Sequence, residues 1–346
     1  VRIPRPTSIN FGLALALLLA GQFLPDPLTN PVRLLPTQHS FELSYEPVAA
    51  RLFDATSFNV GTSPECPDAP RPSLSCFVHP ATLHRKQTIS YSAGRNRKET
   101  VQTSQDRITT DSGATVFSSQ DTATLMRHSS IPLDEALAST VEHSTIPGFD
   151  RNLVGENRTG LQFTFPFASE WRSYQYFDSF GHFAYPIDFQ DREDFDGTTV
   201  YRFHQQLTPR QLGAFSATGS AEQYYSPTEM TELGLKPQDA VFLKQFYAAQ
   251  RTVWVEPKTG TVLNIVEEPR SFLARNMEEA TRTAPDSPRV LFSATFALDG
   301  QSKEQQRDKA SAGVHRLKAI EVLRYLCIFG AVVFGMWGVR TWRRNS

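Results

Sequence analysis

Near its carboxyl end the chain carries a run that water will not hold. Ile320–Val339 is a 20-residue segment whose last fifteen positions, Tyr325 to Val339, bear no charge. As a helix it is about 30 Å long, the thickness of a bilayer's hydrocarbon core. Arg340, Arg343 and Arg344 follow, with Trp337 and Trp342 at interfacial depth. Glu321 and Arg324 stand at i and i+3 and can pair across one turn near the other boundary. A core helix of a soluble protein does not carry such flanks, so 319–339 reads as a transmembrane helix and 340–346 as a basic cytoplasmic tail.

A second apolar run, Ile9–Leu24, is interrupted only by Asn10 and Gln22, preceded by Arg2 and Arg5, and stopped by Pro25-Asp26-Pro27. Its sixteen residues cover about 24 Å, which suits a signal peptide as well as an anchor. Cleavage after Gly21 would place Leu19 at −3, where a small residue belongs. The favoured reading is an uncleaved signal anchor over 9–24 with a cytoplasmic tail over 1–8; a cleaved signal is the other. Basic flanks on both runs place both termini in the cytoplasm, although Arg316, Lys318 and Arg324 make charge a near tie at the second. Two spans then put 25–318 outside. That stretch holds 29 basic and 35 acidic residues, a balance of −6 hidden in the whole-chain value of −1. The mean hydropathy of −0.35 is likewise an average over unlike parts. An acidic outer domain argues against a phosphate-binding surface while leaving room for local basic patches, and the whole-chain balance excludes a nucleic-acid binder with a global basic field.

Small residues form stripes on both helices, Gly12, Ala16 and Ala20 on the first and Ala331 and Gly335 on the second. Such stripes let helix backbones approach closely in lipid, so helix pairing, a membrane-protein partner or a homo-oligomer is expected beside the bilayer itself.

Between the helices, Cys66 and Cys76 bracket a Pro-rich loop. Outside the cytoplasm a disulfide is the default for such a pair; metal binding with His79 and His84 is the alternative, at a spacing foreign to zinc sites. Cys327 falls within the second helix and reads as inert. Thr, Ser and Gln dominate 85–130, with alternating pieces such as Thr88-Ile89-Ser90-Tyr91, and these strands read as covering a sheet rather than filling a core. Residues 131–142 allow a short helix after Ser130, and Asp239–Gln250 a second. Leu161, Phe163 and Phe165 alternate with polar residues, as do Tyr201 and Phe203. Asp196-Gly197 marks one hairpin and 256–260 the turn of another, between 252–255 and 261–266. The fold class is mainly β (α+β), an extracytoplasmic domain of antiparallel hairpins between one amino-terminal and one carboxyl-terminal transmembrane helix.

The strings GLQFTFPF, YQYFD, YPIDF and DGTTVYRF, followed by WVEPKTG, resemble the actinobacterial envelope family of PorA-like porins. The resemblance covers the chain in layout and is most specific over 160–204 and 252–266. It implies an actinobacterial plasma-membrane protein facing the cell wall, and it brings no catalytic residues with it.

Catalytic and metal chemistry finds little support. Aligning Asp191–Gly197 with a calcium-binding helix–loop–helix puts Arg192 and Phe203 at positions that demand oxygen ligands. A looser calcium site with Asp178 or Asp188 is the remaining metal reading, against a solvated acidic turn. No metalloprotease, serine-hydrolase, P-loop or dinucleotide motif occurs. His182 and His204 could each meet a carboxylate, Asp178 included, which leaves an envelope hydrolase or transferase as a minor reading.

Aromatic density is the remaining signal. Residues 163–203 hold fourteen aromatic side chains in 41 positions. Core packing explains most of them; Phe165, Trp171, Tyr174, Tyr176, Phe183, Tyr185 and Tyr201 are the candidates for lining a groove that takes apolar or sugar ligands. The expected function is that of a non-enzymatic envelope protein, without cofactor or metal, whose outer domain binds an envelope lipid, glycan or protein partner in assembly or transport. The alternative, carried by the resemblance alone, is an oligomeric porin; a pore would need an oligomer or a different partner, because two helices cannot enclose water and repeated lipid-facing strands are not evident.

Overall fold

Alternation with period two carries most of the middle of the chain into strands. The computed structural model describes residues 5–69, 71–134, 136–149 and 154–345. Arg2 of the basic amino-terminal tail lies outside the described residues. In chain order the strands are β1 (His39–Ser44), β2 (Val48–Phe53), β3 (Val78–Ala93), β4 (Glu99–Thr110), β5 (Thr115–Met126), β6 (Ala136–Ser144), β7 (Val154–Asn157), β8 (Tyr174–Asp178), β9 (Phe183–Phe195), β10 (Thr198–Ser220), β11 (Ala240–Glu256), β12 (Thr261–Ala274), β13 (Val290–Ser293) and β14 (Phe296–Ala297). The helices are α1 (Arg5–Phe23), α2 (Pro25–Thr29), α3 (Ala55–Val60), α4 (Pro227–Leu233), α5 (Met277–Arg282) and α6 (Gly300–Asn345). The chain divides into a helical unit, Val1–Leu34 with Arg307–Ser346, and a sheet unit, Leu35–Gln306.

All strands of the sheet unit join one antiparallel sheet, ordered β7-β6-β5-β4-β3-β2-β13-β12-β11-β10-β9-β8, with β1 also on β3 and β14 also on β12. Long hairpins form its two wings, and the middle is a seam of short strands. There β2 meets β13 through only Leu52↔Phe292 and Arg51↔Ser293, and Tyr45 bridges Leu298. The Asp196-Gly197 turn joins β9 to β10 with φ of 50° and 81°, the left-handed pair that a two-residue hairpin demands. The turn between β11 and β12 ends at Gly260, φ 68°. A Cβ there would stand 2.1 Å from the Phe165 carbonyl oxygen, so only glycine fits.

The mainly β class expected from the sequence is the one found, but two expected helices are strands. Residues 136–144 form β6, paired to β5, and Asp239–Gln250 falls almost wholly in β11. The apolar run in β11 is continuous because both faces are covered: Tyr247 and Ala249 face the main core, while Phe246 and Ala248 pack in a satellite cluster with Ala280 of α5. Burial on both faces erases the alternation that marks a half-exposed strand. The Thr/Ser/Gln-rich strands are also corrected. Their inward positions, Arg85, Gln87, Gln102, Asp106 and Asp121 among them, are buried, so these strands fill a core rather than merely cover one.

In the helical unit, two helices are long and apolar enough to cross a membrane, Ser8–Thr29 and a stretch of Gly300–Arg344. They run antiparallel: Phe11 lies at Gly338, Leu17 at Gly330, and Gly21 at Cys327 and Ile328.

Candidate functional site

The interior of the sheet is an ion network. Leu83, Arg85, Gln87, Ile89 and Tyr91 alternate inward along β3, and Thr100, Gln102, Ser104, Asp106 and Ile108 along β4. Arg85 donates to both carboxylate oxygens of Asp106, at 3.0 and 3.2 Å from Nε, and through Nη1 to Glu267 of β12. Glu267 also accepts from Arg251 Nε on β11. Arg251 Nη2 reaches Asp178 at 2.9 Å, and Asp178 accepts from the Tyr247 hydroxyl at 3.0 Å. Gln87 and Gln205 close the remaining bonds, the first to Asp106 and the second between Arg251 and the Tyr176 and Tyr185 carbonyls. Charges so far from water are tolerable only when paired and bonded at nearly every polar atom.

The network's electrostatics follow from that pairing. Burial drives the Glu267 carboxyl up, but Arg251 and then Arg85 outweigh it and hold it at about 2. The Tyr247 hydroxyl rises well above its ordinary value, first through burial and then through Asp178. Burial lowers the Arg158 guanidinium to about 10, against the opposing pull of Asp121. Sequence reasoning missed Arg85, Asp106, Arg251 and Glu267. The available signal was a charge at an inward position of an alternating strand, as Arg85 is between Leu83 and Ile89.

The seven ring-bearing groove candidates fall in three places. Phe165, Tyr174 and Tyr176 are buried, packed on one another and on Phe203 with ring centroids 4.7–6.0 Å apart. Phe183 and Tyr185 pair at 5.4 Å and are half-buried against the core. Trp171 is 65% exposed, stacked on Phe189 at 6.0 Å and set edge-on to Tyr201 at 6.1 Å. That trio forms an aromatic ledge, joined to the core rings by the 5.9 Å contact of Phe189 with Phe203.

Among the described residues, the catalytic and metal candidates make the following contacts. Asp178 is spent on Tyr247 and Arg251, while His204 bonds Thr252 across β10 and β11 at 3.1 Å. His204 falls between the inward residues Phe203 and Gln205, so its side chain takes the opposite face from Asp178. The His182 N–H donates to the Asp178 carbonyl at 2.8 Å, a main-chain contact. In the acidic turn, Glu193 pairs with Arg202 and Asp194 accepts from Gly197 N–H at 2.7 Å; Asp188 accepts from Ser173. Among the described residues no cluster of three or more His, Cys, Asp or Glu side chains could hold a metal. Cys66 and Cys76 are joined by a disulfide, Cα to Cα 5.8 Å, and Cys327 is a free thiol.

Of the small residues on the helices, Ala20 lines the inter-helix contact with Leu24 and Cys327, and Ala331 is buried. A Cβ placed at Gly12 or Gly335 would meet nothing within 4 Å, and Ala16 is exposed. The contact thus takes in Ala20 and is completed by Leu17 and Gly21 against Gly330, Cys327 and Ile328 rather than by Gly12 or Gly335.

Comparison with known proteins agrees with this layout. The family described as Porin PorA matches residues 7–340. A Porin PorA of Corynebacterium resistens is 24% identical over 386 aligned residues, which cover 91% of this chain and 90% of the relative. A Porin PorA of Corynebacterium amycolatum is 28% identical over 206 residues, 56% of this chain and 53% of the relative. With both apolar runs, 9–24 and 320–339, and the whole sheet unit inside the matched span, the chain belongs to the Porin PorA family.

Proposed function

We propose that the protein is a plasma-membrane protein of the cell envelope that serves the porin role of its relatives' name as an assembly of copies. In this reading both helices span the membrane with the tails cytoplasmic, and residues 25–318 stand outside. The antiparallel course of α1 and α6 supports it, because it sets both basic ends on one side. The observation that carries the assembly is the packed interior of the sheet unit. A water path through one copy would have to displace Arg85, Asp106, Arg251, Glu267 and Asp178 from their mutual bonds, and two helices cannot surround water. Helices contributed by several copies can. Planar-bilayer recording on pure full-length protein, with copy number counted by cross-linking in the same lipid, tests this. Conductance confined to multi-copy particles is expected; none above the detergent control, or conductance from a single copy, sinks it.

The aromatic ledge favours a second reading, in which the outer domain binds an envelope glycan or lipid. A flat indole beside two further rings is the surface on which sugar rings stack. Trp171→Ala should then abolish retention on an envelope glycan extract while leaving thermal stability unchanged. Equal retention by both proteins would remove the reading.

A further inference from the structure

A second polar site lies on the outer face of the sheet, at the seam. β13 runs between β2 and β12, and its Ser293 is the direct cross-strand partner of Arg51 on one side and of Arg270 on the other. Direct partners in adjacent strands project to the same face. The three side chains therefore form one row, with the two arginines' strands about 10 Å apart. All three line a cavity of about 480 Å³, within the range that holds small ligands. Alanines, Ala248 and Ala294 among them, leave the space open, and Gln206, Gln250 and Glu268 complete the wall.

Both guanidiniums are held in place by main-chain oxygens rather than by carboxylates. Arg51 Nη1 donates to the Asp286 and Ser287 carbonyls at 3.4 and 3.2 Å, and Arg270 Nη1 to the Thr283 carbonyl at 3.1 Å. Arg270 also lies 4.7 Å over the Phe272 ring. One loop, between α5 and β13, thus fixes both arginines through main-chain oxygens. Among the described residues neither makes an ion pair with a carboxylate, although Asp286 is close enough to Arg51 to be felt and Glu268 shares the cavity. Burial lowers both guanidiniums from their ordinary value, opposed at Arg51 by Asp286. A partly desolvated cation that no carboxylate bonds directly is stabilised by an arriving anion.

We propose that Arg51, Ser293 and Arg270 form a binding site for the phosphate group of an organic ligand. Phosphate fits this row better than carboxylate. A tetrahedral phosphate offers an oxygen to each of three donors and carries enough charge for two arginines, whereas a carboxylate offers two oxygens in one plane. The phosphate can come from a lipid headgroup or from a free phosphomonoester.

The test is calorimetric titration of the full-length protein in detergent with inorganic phosphate, glycerol 3-phosphate, dihexanoyl phosphatidic acid and, as control, glycerol. Saturable binding of one phosphate compound per chain is expected, with no heat from glycerol. Arg51→Gln and Arg270→Gln should each weaken it about tenfold or more, and Ser293→Ala less. Should a glutamine variant fail to fold, Arg51→Lys and Arg270→Lys keep the charge but lose the fork, and several-fold weaker binding is expected of them. Tighter binding of the phosphatidic acid than of glycerol 3-phosphate identifies a lipid source; equal or weaker binding identifies a free phosphate. Absence of saturable binding of any phosphate probe up to about 10 mM, or equal binding in the arginine variants, overturns the proposal.

Discussion

Arg251 of β11 and Glu267 of β12 are direct cross-strand partners, and their side chains are bonded inside the sheet with under 8% exposure each. The same carboxylate accepts from Arg85 of β3. One acid thus ties the two wings of the sheet together.

The pH dependence of stability follows from that position. Glu267 sits at about 2 in the folded protein against an ordinary 4.5. A depressed acid contributes stability that is complete above its unfolded value and lost as pH falls through the folded one. The loss therefore runs from pH 4.5 down to about 2 and amounts to about 3 kcal/mol. Glu267→Gln should remove this part of the slope and cost about 3 kcal/mol or more at pH 7, because two arginines lose a buried partner. Urea unfolding at a series of pH values measures both; a variant as stable as wild type would contradict the arrangement.

Glycines with positive φ should separate by what surrounds them. Gly113 has φ 82° and open space, whereas Gly260 has φ 68° and the Phe165 carbonyl at 2.1 Å from a built Cβ. Gly113→Ala is expected to cost about 1 kcal/mol. Gly260→Ala should cost several times that, roughly 3 kcal/mol, since backbone must move as well. Comparable melting temperatures for the two variants would refute this.

Much of this fold was legible before any coordinates. Asp196-Gly197 and 256–260 fall at hairpin turns, and the cysteine pair is joined. The rest failed for identifiable reasons. An inward Arg85 or Asp106 has the same period as an outward one, and only a partner about 180 residues away, Glu267, decides which side it takes. Ala240–Glu256 lost its alternation because α5 covers its second face. The row of Arg51, Ser293 and Arg270 joins three strands from distant parts of the chain, so no local spacing marks it.

The helix pair gives a third contrast. A side chain at Gly21 would meet Cys327 and Ile328 at 3.2 Å, while one at Gly12 would meet nothing within 4 Å. Disulfide trapping between Leu17→Cys and Gly330→Cys, in a Cys327→Ser background, reports the contact in lipid. Gly21→Leu should reduce trapping severalfold and Gly12→Leu should leave it unchanged. The opposite ranking would mean that the helices pack through the other stripe.

The cystine is expected to be structural. Cys76 is buried beside Phe77 in a cluster that Phe58 also joins, and the bond closes a ten-residue separation. Cys66→Ser with Cys76→Ser should lower stability by about 2–3 kcal/mol. Reduction of wild type should match the double variant, and a smaller loss on reduction would assign part of the effect to the serines.

The bond from Arg85 to Glu267 spans 182 positions, which has a consequence for synthesis. At roughly 5–20 residues per second, β3 and β4 wait about 10–40 s for the strand that completes their interior. Until then a half-sheet with unpaired charges and free edges is exposed. So late a closure makes the sheet unit a slow, all-or-none folder, and truncations anywhere before β12 should be degraded rather than accumulate as stable fragments.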